Sequence, residues 1–196
     1  MLKNYFKNSA ILLLLQRMIM SPGRIGAIVP SSKHLATYMA REALKNLKGP
    51  EDFVLEIGAG TGCITHALLD QGLAPEKLIC LELDPQLYRH LIRKYPKVHI
   101  IQGDASHLVQ LIEPDKHGKI SSIVSGIPMR NLSSAAKALI IQALLGILSP
   151  DGSILQFTYG WIPPIFVPGF EGTKLRRIYA NLPPAAVWSY QKAPVK

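Results

Sequence analysis

From Phe53 onward, short apolar runs rich in β-branched residues alternate with stretches of helical periodicity, and this alternation limits the chain to very few folds. Residues 53–57, 78–81, 98–101, 120–125 and 153–158 read as strands, and residues 64–71, 85–94, about 106–112 and 135–148 as helices. Strands joined through helices must run parallel, and continuous apolar strands need cover on both faces. The expectation is therefore an α/β chain with a doubly wound, mostly parallel sheet. The alternation stops after Tyr159. The loop WIPPIFVPGFEGTK carries Pro163, Pro164 and Pro168, which exclude a long helix there. Two last runs, 175–180 and 186–190, are separated by Asn181-Leu182-Pro183-Pro184 and read as an antiparallel pair that finishes the sheet. At 196 residues there is material for one core.

Residues 1–50 precede this pattern as a helical extension and loop, and residues 51–196 form the domain proper. Between residues 2 and 20 the leucines wrap most of a helix, with Lys3, Lys7 and Arg17 on one side. Such a helix packs on its own domain or lies in a membrane interface with its basic side toward lipid phosphates. The apolar run is too short and interrupted to cross about 20 residues of bilayer. It also lacks a signal-peptide cleavage site, so the expectation is a cytoplasmic, monomeric protein held peripherally on the inner face of a membrane. Residues 21–32, rich in Pro, Gly and Ser, form a loop whose Ser31 or Ser32 caps a helix reaching about Leu47. The formal charge of +9 asks for an anionic partner, and the 48% apolar content for an apolar one. An anionic membrane surface satisfies both. Cys63 and Cys80 stand apart, and six scattered histidines offer no paired ligand spacing, so neither a disulfide framework nor a metal site is indicated.

The first strand runs Val54-Leu55-Glu56-Ile57 into Gly58-Ala59-Gly60-Thr61-Gly62 and then directly into a helix. Glycines at alternate positions let the backbone approach a ligand closely, and the helix start turns N–H groups toward it. The second strand ends in Glu82, 24 positions after Gly58, near the spacing expected of a carboxylate that binds ribose hydroxyls. Asp84, before Pro85, reads as a helix cap. The third strand ends in Gln102-Gly103-Asp104-Ala105, where Asp104 either caps the next turn or accepts a bond from an adenine amine. Three such ends in succession line one crevice beyond the sheet.

These residues resemble the class I S-adenosylmethionine-dependent methyltransferases, and the GxGxG pattern is shorter than the dinucleotide GxGxxG. The resemblance implies a Rossmann-like seven-stranded sheet with its last strand antiparallel. It also implies a cofactor site made of Glu56, Gly58, Ala59, Gly60, Gly62, Glu82, Leu83, Asp104, Ala105 and Ser125, with S-adenosyl-L-homocysteine as product. Enzymes of this class that methylate adenine amines carry an Asn/Asp-Pro-Pro/Leu-Tyr type motif after the fourth strand. Here that place reads Ser125-Gly126-Ile127-Pro128-Met129, where Gly126 offers no side-chain acceptor and Met129 no flat ring for a flipped base. The stretch is similar to the SGxP-type turn of the bacterial phospholipid N-methyltransferases, which are related to the ribosomal RNA adenine dimethyltransferases. Gly26-Ala27-Ile28-Val29-Pro30-Ser31-Ser32, Gln156-Phe157-Thr158-Tyr159 and residues 181–188 resemble that family too.

The resemblance implies methyl transfer to the amine of phosphatidylethanolamine in up to three steps toward phosphatidylcholine, a role in phospholipid biosynthesis. Nucleic acid is then not the partner, and a ribosomal RNA adenine methyltransferase is the alternative. A membrane protein that binds the cofactor without catalysis is a third reading. Tyr159, Ser125 and Pro128 are the expected catalytic residues, and Arg24, Ile127, Met129, Arg130 and Tyr159 the expected substrate contacts. Lys174 and Arg177 are alternatives for the lipid phosphate. Ile127 and Pro128 hold backbone near the sulfonium or simply make a tight strand exit. Trp161 and Trp188 anchor at a lipid interface or pack in the core.

Overall fold

A computed structural model describes residues 32–159, 162–181 and 183–193. The segment 2–20, Arg24, the GAIVPSS stretch up to Ser31, and Trp161 lie outside the described residues. Seven strands, β1 (Phe53–Ile57), β2 (Leu78–Glu82), β3 (His99–Gln102), β4 (Ile120–Ser125), β5 (Leu148–Thr158), β6 (Phe170–Ile178) and β7 (Ala185–Lys192), form one sheet in the order β3-β2-β1-β4-β5-β7-β6. β1 to β5 are mutually parallel, while β7 is inserted antiparallel between β5 and β6. The helices are α1 (Lys33–Leu44), α2 (Cys63–Asp70), α3 (Pro85–Lys94), α4 (Leu108–Leu111) and α5 (Ser134–Ile147). This is the mostly parallel α/β architecture that the alternating pattern requires.

Each sheet face carries its own core. One holds Ile57, Leu81, Ile123, Met129, Leu144 and Trp188; the other holds Leu35, Met39, Val54, Leu68, Leu91 and Val187. The second core is closed by α1, which starts at Ser32, whose hydroxyl accepts from Leu35 N at 3.3 Å. Its buried stripe is Leu35, Ala36, Met39, Ala40 and Ala43, at helical spacing. Just past its end, Asn46 Nδ2 donates to the hydroxyls of Ser122 and Ser153 at 3.1 and 2.6 Å, which fastens residues 33–46 to β4 and β5.

Besides shifts of one or two residues at the ends of β2, β3, β7, α2 and α5, four elements depart from the sequence expectation. α1 ends at Leu44, not Leu47, in a tightening turn where Leu47 N reaches Leu44 O at 3.3 Å. The helix expected over 106–112 is a 3-10 turn, Ala105–His107, followed by the four residues of α4. β5 begins at Leu148, because Leu148 pairs with Ile120 before a register shift that lets Ser149-Pro150-Asp151 bulge outward. β6 begins at Phe170: its first half is exposed and polar, and pairing with β7 holds it as a strand. Gly172 is required there, since a Cβ would lie 2.7 Å from the Tyr190 ring.

Candidate active site

The carboxyl ends of β1, β2 and β4 meet at one place. Gly58, Gly60 and Gly62 all take positive φ values, of 69°, 60° and 81°. The turn is tied to β2 by Gly58 N donating to Leu81 O at 2.8 Å, and to itself by Gly62 N donating to Ala59 O at 2.9 Å. The three glycines serve different needs. A Cβ on Gly58 would lie 3.0 Å from Ile127 Cγ1, and one on Gly62 would lie 2.7 Å from the Tyr95 ring, so these two let neighbouring elements close in. A Cβ on Gly60 would meet open space, so its half-buried backbone is the part a ligand can approach.

Glu82 stands beside Gly60. One carboxylate oxygen accepts from Gly60 N at 2.7 Å and the other from Asp84 N at 2.9 Å, so a buried acid bridges the glycine turn and the end of β2. Burial pushes its pKa up, and these backbone donors pull against that shift. Each oxygen keeps a lone pair for a diol. Leu83 follows, half-buried, and Asp84 caps α3 by accepting from Gln86 N and Leu87 N at 2.7 and 3.0 Å. Asp104 also acts as a cap: one oxygen accepts from both the amide and the hydroxyl of Ser106 at 2.9 Å, which leaves its second oxygen for an amine. Ala105 beside it is buried. The buried acceptor next to an open, positive-φ glycine fits the ribose and methionine parts of S-adenosylmethionine.

Glu56 lies under this turn rather than in it. It is 1% exposed, and its Oε2 accepts from the Thr65 hydroxyl at 2.6 Å and from Cys80 Sγ at 3.5 Å. Burial raises its pKa to about 7, the largest influence on it. The unfolded chain ionises this carboxyl near 4.5, so the stability held by the protonated form is complete below that value and is lost as pH rises toward 7. We expect the wild-type melting temperature to fall between about pH 5 and pH 7. Glu56→Gln flattens much of that slope, and Glu82, raised in the same direction, supplies the remainder. An unchanged slope in scanning calorimetry would mean that Glu56 is already ionised in the folded protein.

The end of β4 approaches the glycine turn directly. Gly126 N donates to Ile57 O at 2.8 Å, and a Cβ on Gly126 would lie 2.5 Å from the Gly58 carbonyl oxygen. Ile127 and Pro128 are half-buried beside it, and Arg130 is exposed. Met129, expected among the substrate contacts, is instead a core residue, 2% exposed: the 3-10 turn Met129–Asn131 rotates its side chain under the exit turn. Trp188 also packs in the core. Tyr159 follows the end of β5 and meets Phe157 edge-on with ring centroids 5.7 Å apart. Its buried hydroxyl lies near Asn181 without a hydrogen bond of ordinary geometry, and burial raises its pKa. Burial thus favours the neutral phenol. Arg177 and Lys174 sit on β6, away from the glycine turn by the width of β4, β5 and β7. The sequence reading missed Gln156, whose Nε2 donates to both Ile127 O and Phe157 O at 3.0 Å.

Comparison with known proteins bears on this geometry. The model of the family described as ribosomal RNA adenine dimethylase matches residues 31–145, more than half of the chain. The chain belongs to that family. It is an S-adenosylmethionine-dependent methyltransferase. The methyltransferase is 26% identical over 171 residues to the ornithine lipid N-methyltransferase of Singulisphaera acidiphila, covering 84% of this chain and 86% of that one. It is 42% identical over 96 residues to a probable ribosomal RNA small subunit methyltransferase A of Methanosarcina barkeri. That match spans 47% of this chain but only 30% of the relative's length. Among solved structures, the methyltransferase superposes with a TM-score of 0.60 on 1,6-didemethyltoxoflavin-N1-methyltransferase of Burkholderia thailandensis, crystallised with S-adenosylhomocysteine. The superposition covers 83% of this chain and 78% of the other at 16% identity, a likeness of fold.

Proposed function

We propose that this methyltransferase transfers methyl groups to the amine of phosphatidylethanolamine, and to its mono- and dimethyl derivatives, toward phosphatidylcholine, while bound peripherally to an anionic membrane. The observation that carries this reading is Gly126. With the Gly58 carbonyl 2.5 Å from any Cβ there, the position where adenine methyltransferases place an amide or acid has no room for one. Met129, where an aromatic would stack on the base, is buried in the core. A flipped adenine would lose the amide or acid of position 126 and the stacking ring of position 129, each worth about 1–3 kcal/mol. The relative matched along most of its length is named for a lipid amine, whereas the ribosomal RNA relative is matched over less than a third of its length.

S-adenosylmethionine supplies an electrophilic methyl group on a positively charged sulfur, which the amine nitrogen attacks in line. The protein's part is alignment, and alignment alone removes several kcal/mol of such a barrier. The glycine turn and Glu82 fix the donor. Burial at the exit of β4 desolvates the ammonium and lowers its pKa, so that the amine arrives neutral with its lone pair free. The neutral ring of Tyr159 suits the methylated ammonium product, which it attracts through its π face. In the loop after Tyr159, Ile162 and Phe166 are exposed, Phe166 by 78%, apolar surface suited to a lipid interface together with the basic charge. Among the described residues no helix is long and apolar enough to cross a membrane.

The test is transfer of labelled methyl groups from S-adenosylmethionine to anionic vesicles containing phosphatidylethanolamine, with ornithine lipid vesicles and unmodified ribosomal RNA in parallel. Label in phosphatidylethanolamine is the expected result. Label in RNA alone would restore the adenine reading, which the 42% identical segment of the Methanosarcina relative favours.

A further inference from the structure

Beneath the exit of β4 lies a row of polar side chains that includes Ser125, expected above among the cofactor and catalytic residues. Ser125 pairs with Gln156 across β4 and β5, and Gln156 pairs with Trp188 across β5 and β7, so the three share one face of the sheet at one level. Ser125 and Gln156 are each 1% exposed. Ser125 Oγ and Gln156 Oε1 have no hydrogen-bond partner among the described residues. Buried acceptors are rarely left without a partner, because each costs about 1–3 kcal/mol. Gln156 is not free to turn. Its Nε2 holds the carbonyls of Ile127 and Phe157, both at 3.0 Å, and this commits Oε1 as the acceptor.

The position of the pair is informative. Gln156 touches Ile127, and Ile127 is the residue that meets the Gly58 end of the glycine turn, so the acceptors lie one contact away from where donor and amine must come together. The backbone of the exit turn is already engaged. Ile127 O accepts from Met129 N at 2.8 Å and from Gln156, Pro128 O from Asn131 N at 3.0 Å, and Met129 O from Leu132 N at 3.2 Å. Gly126 has no side chain to offer.

Resting on the aminolipid reading above, we propose that Gln156 Oε1 and Ser125 Oγ accept the two N–H bonds of the neutral substrate amine. Two acceptors on two N–H bonds leave the nitrogen lone pair pointing away from both, toward the methyl donor. The pair then acts unequally on successive methylations. Neutral phosphatidylethanolamine has two N–H bonds, its monomethyl derivative one, and its dimethyl derivative none. Gln156 and Ser125 thus assist the first transfer most and the third least.

The experiment measures kcat at saturating S-adenosylmethionine on vesicles of phosphatidylethanolamine, monomethyl- and dimethyl-phosphatidylethanolamine. Ser125→Ala leaves the Gln156 anchor intact; we expect a fall of about tenfold on the first lipid, less on the second, and within about threefold of wild type on the third. Gln156→Leu reproduces that gradient with an added uniform loss from the freed Ile127 carbonyl. Gln156→Glu, which keeps an acceptor but cannot donate to Ile127, shows the uniform loss without the gradient. The melting temperature of each variant is recorded beside the rates, and a destabilised variant lowers all three rates together. Equal effects on all three lipids in Ser125→Ala and Gln156→Leu, or an unchanged rate on phosphatidylethanolamine, overturn the acceptor pair while leaving the substrate reading standing. Wild-type enzyme inactive on every lipid overturns both.

Discussion

Glu82→Ala is expected to weaken binding of S-adenosylhomocysteine by about 100-fold, measured by titration calorimetry. The carboxylate does two things at once. It offers its remaining lone pairs to a ribose diol, and charge-assisted bonds of that kind contribute about 1.5–3 kcal/mol each. It also holds Gly60 N and Asp84 N, at 2.7 and 2.9 Å, so its loss strands two backbone donors and frees the glycine turn from β2. A net loss near 3 kcal/mol corresponds to the 100-fold weakening. Glu82→Gln, which can accept at one oxygen but presents N–H to the other backbone donor, falls between. Unchanged affinity in Glu82→Ala would place the ribose elsewhere and leave Glu82 as a brace for the turn.

What the chain discloses before folding follows from how local each cause is. β1 and β4 match their sequence readings to the residue because both are buried along nearly their whole length and sharply bounded. α3 does so because Asp84 and Pro85 mark its start. The glycine turn and Glu82 were legible for a similar reason, since both lie at strand ends and are separated by one strand–helix–strand unit. β5 hid its first residues behind Pro150, Asp151 and Gly152, which read as a turn and form a bulge. Met129 was misplaced because adjacency to Pro128 says nothing about which way a 3-10 turn rotates a side chain. Gln156 was harder to assign: its meaning comes from lying opposite Ser125, a matter of strand register between residues 31 positions apart. A signal did exist in the Gln156-Phe157-Thr158-Tyr159 stretch, where a polar residue interrupts a strand otherwise apolar enough to be buried on both faces.

Gly126→Asn carries the other large expected effect. A Cβ at this position lies 2.5 Å from the Gly58 carbonyl oxygen and 3.5 Å from that of Ile57; the nearest contact is with backbone, so no rotamer of the new side chain relieves it. The exit turn has to withdraw from the glycine turn, breaking the 2.8 Å bond from Gly126 N to Ile57 O and opening the contact between Ile127 and Gly58. Overpacking of this kind costs about 1–3 kcal/mol. The expected result is a lower melting temperature, at least tenfold weaker binding of S-adenosylhomocysteine, and loss of methyl transfer to phosphatidylethanolamine and to RNA alike. Gly126→Ala shows the same direction with a smaller loss, because it adds the clashing Cβ without an amide. The opposite outcome is equally specific. If Gly126→Asn keeps its affinity for S-adenosylhomocysteine and gains methyl transfer to ribosomal RNA, the two turns separate readily enough to seat an amide. The choice of lipid over adenine would then rest on the chemistry of one side chain and not on the closeness of two backbones.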